Sequence, residues 1–429
     1  MTSCHLHGVA QTNEIKMYIY IFAGALLLAG LGGGTALAQE QSLSLSQAVY
    51  LARQANDPTV ARFENKATAF EERGVAQSQL PDPTVRGSVE NLPFDSFRLD
   101  QENMTQVRMT VRQAFPAGNT LALKGQKSRE KAAGIRAQKE LVLRKIDLSI
   151  RTHWYDLFYW TRAQANLQKN KRALKEMIEA LQGSFASGDR LAQHVLRVEF
   201  ELSLLEDQLA EMKRRADRAR AELGRYIGPA ADQPLPSSLP EHNAPQSYAQ
   251  LEENLKQHPA VLVEDVEIAV QGTNVSLSQQ AYQPAWALDG SYGARSGGRT
   301  DFASIGVTLS IPLFTGNRQD RNVSAAMQEQ SAARLGRAAI LLDLRRQLGV
   351  AHADWRRLGE RITLYEGAVL KRARETASAS YASYAQGKTD FPELVRARLT
   401  QLDTEIQHTR LQTERAKAWA TLQYLGGME

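Results

Sequence analysis

The residue types that carry chemistry occur in this chain of 429 residues, but they are not grouped. The histidines beyond the N-terminal region are scattered, without the spacing of a metal site. They are His153, His194, His242, His258, His352 and His408. We find no glycine-rich phosphate loop, no serine-histidine-aspartate order and no metal pair, and the carboxylates fall on helical surfaces with charge partners. The sequence therefore predicts a protein that is not an enzyme and that holds neither metal nor cofactor.

The charges point away from nucleic acid. The chain has 52 basic and 47 acidic residues, a net charge of +5 and a pI near 9.1. The basic residues are spread through helices of mixed sign and never form a block, which favours solvated helix faces. We expect no nucleic-acid partner.

The N-terminus has the pattern of an export signal. Lys16 is followed by an apolar run over 18–31 and then by Ala36-Leu37-Ala38, which is typical of a signal peptide with its cleavage site. A membrane anchor is the alternative, but the run is shorter than the ~20 residues that a spanning helix needs. We expect a signal peptide over 1–38, with Met1 and Met17 both open as the start. Cleavage would remove Cys4, the only cysteine.

The rest of the chain contains an internal repeat. Pro58 and Pro259 are 201 residues apart, and Gly118-Asn119 precedes Gly316-Asn317 by 198. Internal repeats of this kind indicate a duplicated architecture. The sequence predicts a first repeat over 39–228, a proline-rich linker over 229–245 and a second repeat over 246–429.

Each repeat has the predicted order short helix, strand, strand, long helix, turn and short helix, a mostly α fold with a small β part. We expect helices over 46–80, 120–185 and 191–227 with strands over 84–92 and 105–114, then helices over 247–281, 318–384 and 391–425 with strands over 285–295 and 302–313. One apolar position every three or four residues, from Val198 to Tyr226, predicts a seam for an antiparallel neighbour. We expect the long helix of each repeat to lie beside the two short ones.

The strands alternate apolar with polar residues. Val107, Met109 and Val111 face away from Arg108 and Arg112. In the third strand, Trp286, Leu288 and Tyr292 alternate with Asp289 and Arg295. This pattern is typical of a transmembrane barrel, with one face toward lipid and the other toward a wet lumen. A half-buried soluble sheet is the alternative, but the helices offer nothing to cover the apolar face.

Four strands cannot close a barrel, and open edges are not tolerated in lipid. Several chains must share one barrel, and three copies would supply twelve strands. We expect Arg108, Arg112, Asp289 and Arg295 to face its lumen, and the helices to form a hollow cylinder beneath it.

The duplicated plan, the segment IPLFTGN after the last strand and the segment YAQGKTDFPELVRARLTQL at the second helical turn resemble the TolC-like outer membrane factors. The resemblance covers nearly all of the chain after residue 38. LPDPTVRGSVENLPFDSF and RQAFPAGN resemble the heavy-metal, CzcC-like branch of that family. The resemblance implies a homotrimer in the outer membrane of a Gram-negative bacterium, reaching into the periplasm.

The resemblance also implies partners and sites. The partners are a periplasmic adaptor and an inner-membrane pump of the resistance-nodulation-division type, and the cargo would be heavy-metal cations or small toxic compounds. Tip, gate and adaptor-docking residues carried over from the family are Phe185, Gly188, Asp189, His194, Tyr384, Gly387, Asp390, Glu393 and Arg396. The strand-to-helix junctions are Pro116, Gly118, Asn119, Pro312, Gly316 and Asn317. A periplasmic coiled-coil adaptor or stalk without a channel is the alternative function.

Overall fold

The computed structural model describes residues 42–184 and 189–427, with side chains described outside 177–178, 180–184 and 189–195. The predicted signal peptide, Cys4 and both candidate start methionines therefore lie outside the described residues. Among the described residues, no helix combines the length and the apolarity that crossing a lipid bilayer requires.

The first half follows the predicted order of elements. Its helices and strands are α1 (Leu45–Gln54), α2 (Pro58–Gln77), β1 (Thr84–Glu90), β2 (Gln106–Phe115), α3 (Thr120–Ser184) and α4 (Asp189–Ile227). The predicted single helix over 46–80 is wrong. Asn56 turns the chain with a φ of 49°, and Oδ1 of Asp57 then accepts a hydrogen bond from the backbone N–H of Thr59 at 2.7 Å. Pro58 cannot continue a helix from the preceding turn but suits the first position of the next one.

The second half repeats the plan. Its elements are α5 (Tyr248–Asn254), α6 (Pro259–Gln280), β3 (Ala285–Ala294), β4 (Phe302–Ser310), α7 (Gln319–Leu364), α8 (Leu370–Ala385) and α9 (Phe391–Gly426). The predicted helix over 247–281 is broken at the matching place, by a 3-10 turn over Leu255–Gln257 and by Pro259. The predicted strand over 302–313 ends at Ser310. A π-helical turn, Tyr365–Val369, separates α7 from α8.

The long helices lie beside pairs of shorter ones, as predicted. Lys139 on α3 is ion-paired with Glu64 on α2 at 2.9 Å, and Lys171, farther along α3, with Glu206 on α4 at 2.6 Å. In the second half, α7 packs against α6 and α9, and α8 packs against α9. The predicted seam on α4 is confirmed, because most of its members are buried: Val198, Leu205, Leu209, Ala216, Ala219 and Leu223.

The segment between the repeats lies against both of them. Pro234 accepts a backbone hydrogen bond from Leu43 at 2.8 Å. The hydroxyl of Tyr155 on α3 and Nε2 of His242 are 2.6 Å apart, and the His242 ring stacks on Trp419 of α9 at 3.8 Å. Residues 233–247 contain no helix or strand, but through His242 they contact both α3 and α9.

Candidate functional site: a two-faced sheet and a helical tip

The four strands form one antiparallel sheet in the order β1-β2-β3-β4. The outer edges of β1 and β4 have no partner strand within the described chain. The register places residues of opposite character on opposite faces of all four strands, because alternate side chains of a strand point to opposite sides.

One face is apolar and solvent-exposed. Ile305 on β4 is 85% exposed, although a residue of this type would normally be buried. Near one end of the sheet, Phe115 stacks on Trp286 with ring centroids 4.0 Å apart. The apolar band runs along β2 from Val107 to Phe115, about 27 Å at ~3.4 Å per residue. Its members are Val85, Val89, Val107, Met109, Val111, Phe115, Trp286, Leu288, Tyr292, Ile305, Val307 and Leu309.

The other face is polar, and its acidic groups are paired. Arg108 lies 3.0 Å from Glu90 of the neighbouring strand. Arg112 lies 3.6 Å from Asp289, whose Oδ2 also accepts a hydrogen bond from the Thr308 hydroxyl at 2.9 Å. Three of the four residues predicted to face the lumen, Arg108, Arg112 and Asp289, are thus brought together on this face.

The fourth, Arg295, lies just past the end of β3, in the loop that leads to β4. Its Nε donates to the backbone carbonyl of Thr300 at 2.6 Å, and one terminal nitrogen donates to the carbonyl of Asn103 at 3.2 Å. Its guanidinium also lies 3.9 Å from the centre of the Phe302 ring. Arg295 therefore ties the β3–β4 loop to the β1–β2 loop.

Sequence reasoning missed Arg86. This residue on β1 is paired in register with Thr110, on the same face as Arg108 and Arg112. The signal was present, because Val85 and Val89 alternate with Arg86 in the same way as the apolar residues of β2 alternate with its arginines.

The second helical turn is well defined. Gly387 adopts a φ of 68°. Its N–H donates to the carbonyl of Tyr384 at 2.9 Å, and the N–H of Lys388 donates to that of Ser383, also at 2.9 Å. These two bonds are the Schellman arrangement that ends a helix at a left-handed glycine. The rings of Tyr384 and Phe391 lie 5.6 Å apart across the turn.

Charged residues follow the turn at the start of α9. Asp390 occupies the position before the first residue of the helix. Arg396 and Glu393 form an ion pair at 2.6 Å within one turn of α9, and both side chains are half exposed or more. Of the residues predicted for the other turn, Phe185 and Gly188 lie outside the described residues. Asp189 and His194 belong to the first turns of α4, but their side chains are not among those described.

An open cavity of about 400 Å³ lies behind the second turn, between the two repeats. Tyr384 stands in its wall, and burial there raises the pKa of its hydroxyl. The wall is mainly apolar, and its residues come from α3, α4, α8 and α9, among them Leu174, Leu205, Tyr381, Leu394 and Leu402.

The two strand-to-helix junctions match in sequence but differ in conformation. After Pro116, Gly118 adopts a φ of 50°, and the N–H of Asn119 donates to Oε1 of Gln280 at 2.9 Å. A Cβ at Gly118 would push that oxygen out of its hydrogen bond, and the positive φ itself favours glycine.

At the second junction, Gly316 has no positive φ and a Cβ there would meet open space. Past Pro312, the chain turns instead through Thr315, whose carbonyl accepts from the N–H groups of Arg318 and Asp320, both at 3.1 Å. Asn317 lies between Thr315 and Arg318, two residues before α7 begins at Gln319.

Known proteins resemble this chain in sequence over its second half and in fold over most of its length. The family model for outer membrane efflux proteins matches residues 251–427, which contain β3, β4 and the second turn. The second half of the chain thus matches the outer membrane efflux protein family. A curated relative, the outer membrane efflux protein BepC of Brucella suis biovar 1 (strain 1330), is 27% identical over 198 residues. That match covers 44% of this chain and 42% of BepC, so it spans less than half of the relative.

Solved structures show the same fold over most of the chain. The outer membrane protein VceC of Vibrio cholerae superimposes with a TM-score of 0.71 at 15% identity, covering 89% of this chain and 96% of VceC. The CmeC outer membrane channel of Campylobacter jejuni gives 0.73 at 13% identity, covering 89% and 85%. The matches to outer membrane efflux proteins bear out the predicted location in the outer membrane and the prediction that the chain is not an enzyme.

Proposed function

We propose that the protein is a passive conduit of a tripartite efflux system, formed by three copies of the chain in the outer membrane. The observation that carries this proposal is the two-faced sheet. Its apolar face is exposed along about 27 Å, close to the ~25 Å apolar band of outer-membrane barrels. Its opposite face carries paired charges suited to a wet lumen.

The unpaired edges give the reason for several copies. In lipid, every backbone donor and acceptor needs a partner, so β1 and β4 must each pair with a strand of another chain. Closed rings satisfy this requirement, and three chains of four strands give a barrel of twelve.

The helices carry apolar stripes that the described part of the chain leaves uncovered. On α7, exposed apolar residues recur every seven or eight residues, about two helical turns, with one interval of 14 residues. They are Met327, Leu335, Leu342, Val350 and Leu364. On α4, Leu196, Phe200 and Leu204 recur every four residues and are also exposed. We assign these stripes to contacts between neighbouring chains in the helical cylinder.

The tip supports contact with partner proteins. Its second turn is rigidly capped at Gly387 and presents Asp390, Glu393 and Arg396, and the wall behind it is apolar. We propose that a periplasmic adaptor docks at the two turns and that an inner-membrane pump of the resistance-nodulation-division type delivers the cargo. Heavy-metal cations and small toxic compounds are the two cargo classes that the resemblance offers.

A periplasmic adaptor or stalk without a channel would explain the helices but not the sheet. A protein of that kind would have no reason to expose eleven apolar residues on one face of four strands.

Fractionation of cells that express the full chain tests the proposal. We expect recovery in the outer membrane as SDS-resistant, heat-modifiable trimers that form channels in planar bilayers. Leu342→Glu places a charge in the α7 stripe and should release monomers. Glu329→Lys changes an exposed charge on another face of α7 and should leave the trimers intact. Release of the wild-type protein by osmotic shock would refute the conduit.

A further inference from the structure

The centre of the polar face carries one row of unusual composition. Strand pairing aligns Arg86 on β1 with Thr110 on β2, Thr110 with Ser291 on β3, and Ser291 with Ser304 on β4. The row thus consists of one guanidinium and three hydroxyl groups, with no carboxylate.

The side chains of this row have no partners in the described part of the chain. Neither an ion pair nor a side-chain hydrogen bond involves Arg86, and the hydroxyls of Thr110, Ser291 and Ser304 make no hydrogen bond there either. The rows on each side differ, because their charges are already matched: Arg108 with Glu90, and Arg112 with Asp289. The polar face of the four strands carries three arginines and two acidic residues, so each chain has one unmatched positive charge there, that of Arg86.

We infer that this row is an anion-binding belt in the lumen of the barrel, with Arg86 as its selectivity residue. A guanidinium is permanently charged and offers five donors, and hydroxyls supply further donors to an anionic oxygen. The described chain leaves all of these donors unused. They suit a carboxylate, phosphate or sulfonate group and repel a free metal cation.

This inference rests on the proposed conduit, since the threefold ring converts one belt per chain into three guanidiniums at one level of the pore. A lumen with low-dielectric walls focuses such a field on the passing ion. Between the two cargo classes, the belt favours small toxic compounds that carry an anionic group.

Ion selectivity of reconstituted trimers tests the belt. Under a potassium chloride gradient, the reversal potential should show anion preference in the wild-type channel and should move toward cation preference in Arg86→Gln. Tripolyphosphate added to the bath should block the wild-type channel. Because a charge-assisted hydrogen bond contributes about 1.5–3 kcal/mol, the half-blocking concentration should rise about tenfold or more in Arg86→Gln.

Three further variants separate the belt from general effects. Arg86→Lys keeps the charge but loses the planar fork, so it should keep the reversal potential and weaken the block. The triple variant T110V/S291A/S304A should weaken the block with little change in reversal potential. The double variant R112Q/D289N removes an ion pair without changing the net charge and should behave as wild type.

The outcomes are distinct. Trimers that conduct with a reversal potential and a tripolyphosphate block unaffected by Arg86→Gln would overturn the belt and leave the conduit standing. A wild-type protein that forms neither trimers nor channels would overturn the conduit itself.

Discussion

His258 is a buried histidine with a structural task. Its Nδ1 accepts a hydrogen bond from the N–H of Ala260 at 3.2 Å and so caps α6. The side chain is fully buried beside the Tyr424 ring, and its Nε2 has no hydrogen-bond partner within the described residues. Burial, with the nearby positive charges of Arg144 and Lys145, lowers the pKa of His258 to about 4.

We expect this residue to make the protein less stable in mild acid. Below pH ~6.5 the unfolded chain takes up a proton at this histidine, while the folded chain stays neutral down to about pH 4. The free energy of unfolding should therefore be full above that range and fall as the pH drops through it, by up to about 3 kcal/mol. Thermal unfolding of detergent-solubilised protein at pH 7.5 and 5.0 measures the effect.

His258→Asn is the matched variant, since asparagine is also a good helix cap but does not titrate. The variant should fold and should lose part of the acid sensitivity. His242, whose pKa burial also lowers to about 4, supplies the remainder. An unchanged difference between the two pH values in the variant would contradict the assignment.

At the scale of elements, the π-helical turn after α7 explains a mismatch between the repeats. Asn119 to Gly188 is a step of 69 residues, whereas Asn317 to Gly387 is a step of 70. The second repeat thus carries one extra residue in its long helix. The π turn takes it up, with the N–H of Leu370 bonded to the carbonyl of Tyr365 five residues earlier.

Deleting one residue should therefore be tolerated inside the π turn and not elsewhere in α7. Gly367 lies in the π turn, and a Cβ added there would meet no neighbour within 4 Å. Deletion of this glycine would convert the π turn to α-helix, and the helices on both sides would keep the same residues facing their neighbours. Deletion of Gly336 in regular helix would rotate all later residues by about 100° and expose buried Leu344 and Leu348. We expect trimers from the first variant and misfolded protein from the second, on SDS gels of outer membranes. Equal loss in both would refute this explanation.

The helices and strands show which features can be predicted from the sequence and which cannot. Periodicity identified the α4 seam and both faces of β2, because burial of Val198 and exposure of Met109 follow from spacing alone. It did not find the breaks before Pro58 and Pro259. These depend on Asp57 and His258 acting as caps, and a histidine cap is not a common signal. Periodicity also did not predict that the two strand-to-helix junctions differ in conformation. The conformation of the first junction depends on Gln280, which is more than 160 residues away in the sequence.

At the scale of the whole molecule, a single copy of the chain leaves apolar surface exposed and strand edges unpaired within its described residues. Within the described residues, the apolar face of the sheet is exposed, the outer edges of β1 and β4 are unpaired and the α7 stripe is uncovered. In the proposed conduit, lipid would cover the apolar face, a strand of another chain would pair with each edge and a neighbouring helix would cover the stripe. Composition and repeats predicted this state, because they indicated long helices and strands with nothing to cover them. The charge balance of the polar face could not be predicted in this way, because it depends on which residues are paired across the strands. Only the folded sheet shows that Arg86 is paired with Thr110.

The tip offers a second charged ring in the proposed trimer, and its net charge should control conductance. Glu393 and Arg396 form an ion pair at 2.6 Å in each chain, so three copies are neutral together. Exposed pairs contribute about 0–1 kcal/mol, so single substitutions should leave folding unchanged. Arg396→Ala leaves three acids and should shift single-channel selectivity toward cations, and Glu393→Ala should shift it toward anions. The double variant E393A/R396A restores neutrality and should resemble wild type, with all shifts decreasing as salt screens the charges. If neither single variant changes conductance or selectivity at low salt, these residues are solvated surface groups with no part in the gate.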